Sequence, residues 1–198
     1  VLDRYLLEDR TFAQKKSKHH VPRFLFNDIA RYWRTMAVDF AYKARTRRGE
    51  GLAIRNFKLR MSRKLIYVSG MLSCFACELG MIPNSNQPDC ERKERECVVC
   101  LRNFMCRPPL EVLSDVLLQL GPDVREHASK IMNAYDKFLG ILASEENRDA
   151  LEKHDPAKSK GEDLFGHREI THDFRDGLLA LFFDVPRVAA LTRIYGVF

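Results

Sequence analysis

The residues best suited to chemistry lie in two basic segments, PRFLFNDIARYWRTMAVDFAYKA from Pro22 to Ala44 and LAIRNFKLRMSRKLIYVSG from Leu52 to Gly70. On a helix, Asn27, Arg31, Thr35 and Asp39 follow one another at i+4 with Arg34 beside them, so they share one stripe. In the second segment Arg55, Lys58 and Ser62 share a stripe, and Asn56, Arg60, Arg63 and Lys64 form a neighbouring one. From Lys15 to Lys64 there are 15 Lys or Arg and three acidic residues, Asp28, Asp39 and Glu50, a net of +12 in a chain whose total is +6. Charge so concentrated suits a polyanion, most simply the phosphates of a nucleotide or a nucleic acid. The alternative is a solvated helix face with one or two internal ion pairs, such as Asp39 with an arginine of the second segment.

The cysteines carry a second possible chemistry. Cys74-x2-Cys77 and Cys97-x2-Cys100 are separated by 19 residues, the form of a tetrahedral Zn2+ site, with Cys90 and Cys106 as spare thiols. The first pair stands in MLSCFACELG, an apolar context in which cysteine equally serves as a small core residue. Arg148 and His154 match the loose arginine–histidine spacing of helical ribonucleases, and His172 with Asp176 at i+4 is either an acid/base pair or the wet face of a helix. Phosphate loops, nucleophile elbows, H-E-x-x-H and a Gly-Ser followed by paired aspartates are all absent from the sequence, so no complete catalytic set is present.

These residues need helices to position them, and the apolar spacing supplies helices throughout. Leu25, Ile29, Trp33, Met36 and Phe40 mark the inner stripe of the first basic segment, and Ile54, Phe57, Met61, Leu65 and Val68 that of the second. The turn ARTRRGEG folds the two back antiparallel. Val124, Ile131, Tyr135 and Phe138 define a later helix, and Ile170, Phe174, Leu178 and Leu181 another. PNSNQPDCERKEREC, polar and with two prolines, reads as a loop.

With no alternating strand pattern, the expected class is an all-α bundle of six or seven helices in one domain. Residues 1–21 form a terminal helix and basic connector, 22–70 the basic hairpin, 83–107 a cysteine-bearing loop and 108–198 the C-terminal helices. At 45% hydrophobic and 30% charged, the composition is that of a globular protein. No apolar run reaches the roughly 18 residues of a membrane span, and VLDRYLLEDRTF lacks the apolar core of a signal peptide, so the expected compartment is the cytoplasm. Opening on Val1 straight into a helical pattern fits a piece of a longer polypeptide.

VPRFLFNDIARYWRTMAVDF, the following turn and GLAIRNFKLRMSRKLIYVSGML, then PPLEVLSDVLLQL, AYDKFLGIL, EITHDFRDGLLALFF and LTRIYGVF, resemble in order the C-terminal helical region of a family of bacterial nucleotidyltransferase-domain proteins of the polymerase-β type. The resemblance implies an N-terminal nucleotidyltransferase domain as partner, carrying the Gly-Ser and aspartates that hold NTP and Mg2+, none of which this chain has. It further implies that Arg31, Arg34, Lys58 and Arg63 contact nucleotide phosphates or the acceptor, with Arg55 and Lys64 on the same basic face and Asp39 fixing one arginine. The alternative is a non-enzymatic helical module binding RNA or DNA with that face, or a helical ribonuclease using Arg148 and His154.

Overall fold

The computed structural model describes residues 21–47, 50–81, 90–154 and 163–196, with side chains omitted at 90–95. The expected terminal helix and basic connector over residues 1–20, the part of the expected cysteine-bearing loop over 83–89, and residues 155–162 and 197–198 lie outside them. The described chain is all-α: α1 (Arg23–Thr46), α2 (Leu52–Lys58), a π-helical turn (Leu59–Arg63), α3 (Lys64–Phe75), α4 (Cys90–Met105), α5 (Pro109–Leu120), α6 (Arg125–Ala143), α7 (Glu145–Lys153), α8 (His167–Phe183) and α9 (Pro186–Tyr195). Counting the continuous rod from Leu52 to Phe75 as one, the described residues form eight helices, slightly more than anticipated.

The rod is central. It packs α1, α4 and α5 against α3 and α7 against α2, while α8 runs along α6 and carries α9. Its apolar stripe lands as the spacing predicts, with Ile54, Phe57, Met61, Leu65 and Val68 all buried. Two glycines set the closest helix approaches. A Cβ on Gly70 would lie 3.1 Å from the Ile29 side chain of α1, and one on Gly177 would lie 2.7 Å from Ile131 of α6. Phe57 stands edge-on to Phe138 at 4.9 Å, tying α2 to α6.

Two expectations change. The predicted loop over 83–107 is helical from Cys90 onwards, because Cys97, Leu101 and Phe104 recur at helical spacing and are buried. No Gly or Pro interrupts that stretch, so the prolines at 83 and 88 mark only what precedes it. In α1 the stripe Leu25, Ile29, Trp33, Met36 and Phe40 is only half-buried, and the deep contacts are Phe26 and Ala30. The helix lies at the edge of the bundle and covers the rod on one side only. Its outer face leaves Tyr32, Val38 and Tyr42 exposed.

Candidate functional site

The first turns of α1 and the end of α9 enclose a cleft of about 470 Å³ lined by Arg23, Asn27, Arg31, Arg34, Ile194 and Tyr195, over a floor of Phe26 and Ala30. Three of the anticipated stripe residues, Asn27, Arg31 and Arg34, are therefore brought together. Arg23 was missed, although it extends the same stripe one turn earlier at i−4 from Asn27. Its guanidinium lies 5.4 Å from the centre of the Tyr195 ring, a cation–π contact that fixes one wall of the cleft. Burial, with a smaller contribution from the charge of Glu78, raises the Tyr195 phenol above its usual pKa, an effect that the hydrogen bond and charge of Arg23 partly offset.

The charge in the cleft is only partly neutralised. Arg31, largely exposed, reaches half-buried Asp28 of its own helix at 3.3 Å, while Arg34 has no acidic partner among the described residues. The lining thus offers three guanidiniums, an amide and a phenol, and no carboxylate. Guanidiniums present planar forked donors that match phosphate oxygens two at a time. The volume falls in the usual range for small-ligand sites, roughly 300–1,000 Å³.

The remaining basic residues go elsewhere. Asp39 pairs with Lys43 on its own helix at 2.8 Å, not with an arginine of the second segment, because i+4 on α1 is nearer than any guanidinium across the hairpin. Arg55 folds back over Gly51, whose φ of +60° makes the tight entry to α2, and its buried Nη1 has no hydrogen-bond partner among the described residues. Lys58 and Arg63 are half-buried and line no part of the cleft. The π-turn separates what α-helical spacing would align: at its end the Lys64 amide bonds back to the Leu59 carbonyl, which widens the turn. Lys64 consequently joins Tyr67, Val68 and Met71 on a different surface from Arg31 and Arg34.

Three of the four cysteines, Cys77, Cys97 and Cys100, come together. Helix α3 ends at Phe75, so Cys77 sits in a turn, held there by Arg187 donating to the Leu79 carbonyl at 2.6 Å and by Gln119 donating to that of Gly80 at 3.2 Å. The Cys77 thiol donates to the Cys97 carbonyl at 3.6 Å, with the thiols of Cys100 and Cys97 beside it. Hydrogen bonding with those thiols, together with burial, raises Cys77 far above an ordinary thiol, while the bond from Cys77 lowers Cys100. Cys74 does not join them. It faces the core from α3, and burial pushes its thiol up. The four-cysteine tetrahedron is not assembled, and among the described residues no group of three or more His, Cys, Asp or Glu could hold a metal ion. In the folded protein, Ellman's reagent followed by peptide mapping should find exposed Cys106 reacting quickly and Cys74 and Cys97 only on unfolding. Comparable rates for all three would mean that the α3–α4 packing is wrong.

The two lesser motifs serve the fold. Arg148 donates to the Leu142 carbonyl at 2.7 Å, closing the end of α6, and His154 caps α7. Asp176 is held by Arg175 at 2.8 Å, which lowers its carboxyl pKa, and His172 is exposed beside them.

No described helix is long and apolar enough to cross a membrane. No family model, curated protein or solved structure matches the chain.

Proposed function

We propose that the chain is a helical nucleotide-binding domain that holds phosphate groups in the α1/α9 cleft, serving a nucleotidyltransferase catalytic domain that supplies the metal-binding carboxylates. The observation that supports this reading is the cleft itself, with Arg23, Arg31 and Arg34 around one concave space and no carboxylate in its lining. Cations placed there would neutralise charge on a triphosphate and on the pyrophosphate leaving group as the phosphoryl bond breaks. Mg2+ belongs with the carboxylates of the catalytic partner, since the cleft has no oxygen ligands suited to it beyond Asn27 and Tyr195.

A second reading, a nucleic-acid-binding module, is favoured by one feature. Tyr32 and Tyr42 are exposed on the same helix as Arg31, Arg34 and Arg45, the mixture of rings and cations on which single strands stack.

Titrating the chain with a nucleoside triphosphate and with a single-stranded RNA 12-mer, each at several salt concentrations, separates the two. The nucleotide reading expects saturable triphosphate binding, competed by pyrophosphate, with a shallow salt dependence. Failure to bind triphosphate would overturn it, as would tight RNA binding with a log–log salt slope of roughly −4 or steeper, the signature of about six or more phosphate contacts.

A further inference from the structure

Next to the cationic cleft lies a groove of about 370 Å³ whose wall and floor come from α1, α3, α8 and α9. Its character is different. Trp33 and Tyr67 stack at 5.3 Å to form one wall, and Met71, Leu178 and Phe182 form the floor. Leu179 and Phe183, exposed on the last turns of α8, make its rim.

Lys64 is the polar group that this apolar surface does not account for. It is half-buried in the lining, and no acidic residue among the described ones pairs with it. The other cation lining the groove, Arg175, is already held by Asp176 at 2.9 and 2.8 Å, and Asp173 is engaged by Lys130 at 3.5 Å, so the two acids beside Arg175 on α8 are taken. Burial, with Arg60 and Arg175 nearby, pulls the Lys64 ammonium below its usual pKa. An anion that brought its own apolar body would bury that body against the rings and supply the charge that Lys64 lacks.

We infer that this groove binds a small aromatic carboxylate, its ring system against Trp33, Tyr67 and Phe182 and its carboxylate on Lys64. The flat stacked wall favours a ring system over a flexible chain, because offset ring stacking adds to the area buried. The volume is that of a small-ligand pocket, too small for a folded partner. The inference is independent of what the neighbouring cleft holds.

Trp33 is the single tryptophan of the chain, so its indole N–H gives one resonance that reports on the groove alone. The test titrates 2-naphthoate into the full chain, following heat by calorimetry and the indole resonance by NMR. The expected result is one-site binding with a saturable shift of that resonance. Lys64→Met should weaken 2-naphthoate by about 10–100-fold, the worth of one charge-assisted hydrogen bond, while leaving neutral 2-naphthalenemethanol unaffected. Lys64→Arg should retain most of the affinity, and circular dichroism of both variants should match the parent.

An unmoved indole resonance would overturn the inference. So would a Lys64→Met variant that binds 2-naphthoate as well as the parent, since the anion would then sit elsewhere. Binding that emerges only after residues 197 and 198 are deleted would overturn it in favour of the segment that follows Gly196.

Discussion

Phe57→Ala should lower the free energy of unfolding by about 3–5 kcal/mol. Phe57 is fully buried, two residues before the π-turn, and its ring meets the edge of Phe138 at 4.9 Å and the His167 ring at 6.0 Å. It therefore joins three parts of the bundle: the rod, α6 and the start of α8. Removing the ring loses its transfer free energy and leaves a cavity that three helices cannot close together, since Gly177 already holds α8 hard against Ile131. Urea unfolding followed at 222 nm should show a lower midpoint with an unchanged slope. Leu118→Ala, at a side chain 79% exposed, is the control and should stay within about 0.5 kcal/mol. A Phe57→Ala loss below about 1 kcal/mol would mean that α2 does not dock on α6 as described.

That core was largely legible because it obeys one period. Ile54, Phe57, Met61, Leu65 and Val68, and again Ile170, Phe174, Leu178 and Leu181, are apolar at helical spacing and are buried as a consequence. Helix α4 was hidden by composition. Its first turns are almost wholly charged, and the prolines before it extend a loop signal across residues that carry no helix breaker. The burial of α1 was misjudged for a tertiary reason. Periodicity shows which face is apolar, but only the packing shows that an edge helix buries Phe26 and Ala30 deeply and leaves Trp33 half-covered.

The sites divide in the same way. Asn27, Arg31 and Arg34 share the cleft because one uninterrupted helix carries them, so their spacing in sequence is their spacing in space. Lys64 lines the groove and not the cleft, beyond a π-turn at Leu59–Arg63 that no Gly or Pro announces. Tyr195 stands 172 residues from Arg23, and no local pattern links two helices that meet only in the fold. Cys74 and Cys77 were separated by a helix end that an apolar run conceals.

The double variant Arg31→Ala, Arg34→Ala should weaken nucleoside triphosphate binding by at least about 100-fold while leaving the fold intact. Each guanidinium can make charge-assisted bonds to phosphate oxygens worth about 1.5–3 kcal/mol, and solvent at this exposed site reduces that, so two together give roughly two decades. Both side chains are exposed, and the only described ion pair lost is the surface contact of Arg31 with Asp28, so the unfolding midpoint should barely move. Arg45→Ala discriminates the two readings of the basic helix, because Arg45 lies on α1 three turns beyond Arg34 and outside the cleft. If the ligand is a nucleotide held at the α1/α9 end, Arg45→Ala leaves its affinity unchanged. If the helix instead tracks a nucleic-acid backbone along its length, Arg45→Ala lowers RNA affinity and makes the log–log salt slope shallower by about one, as each cation removed releases one fewer counterion. Retention of triphosphate affinity in the Arg31, Arg34 variant would remove the cleft from consideration under either reading.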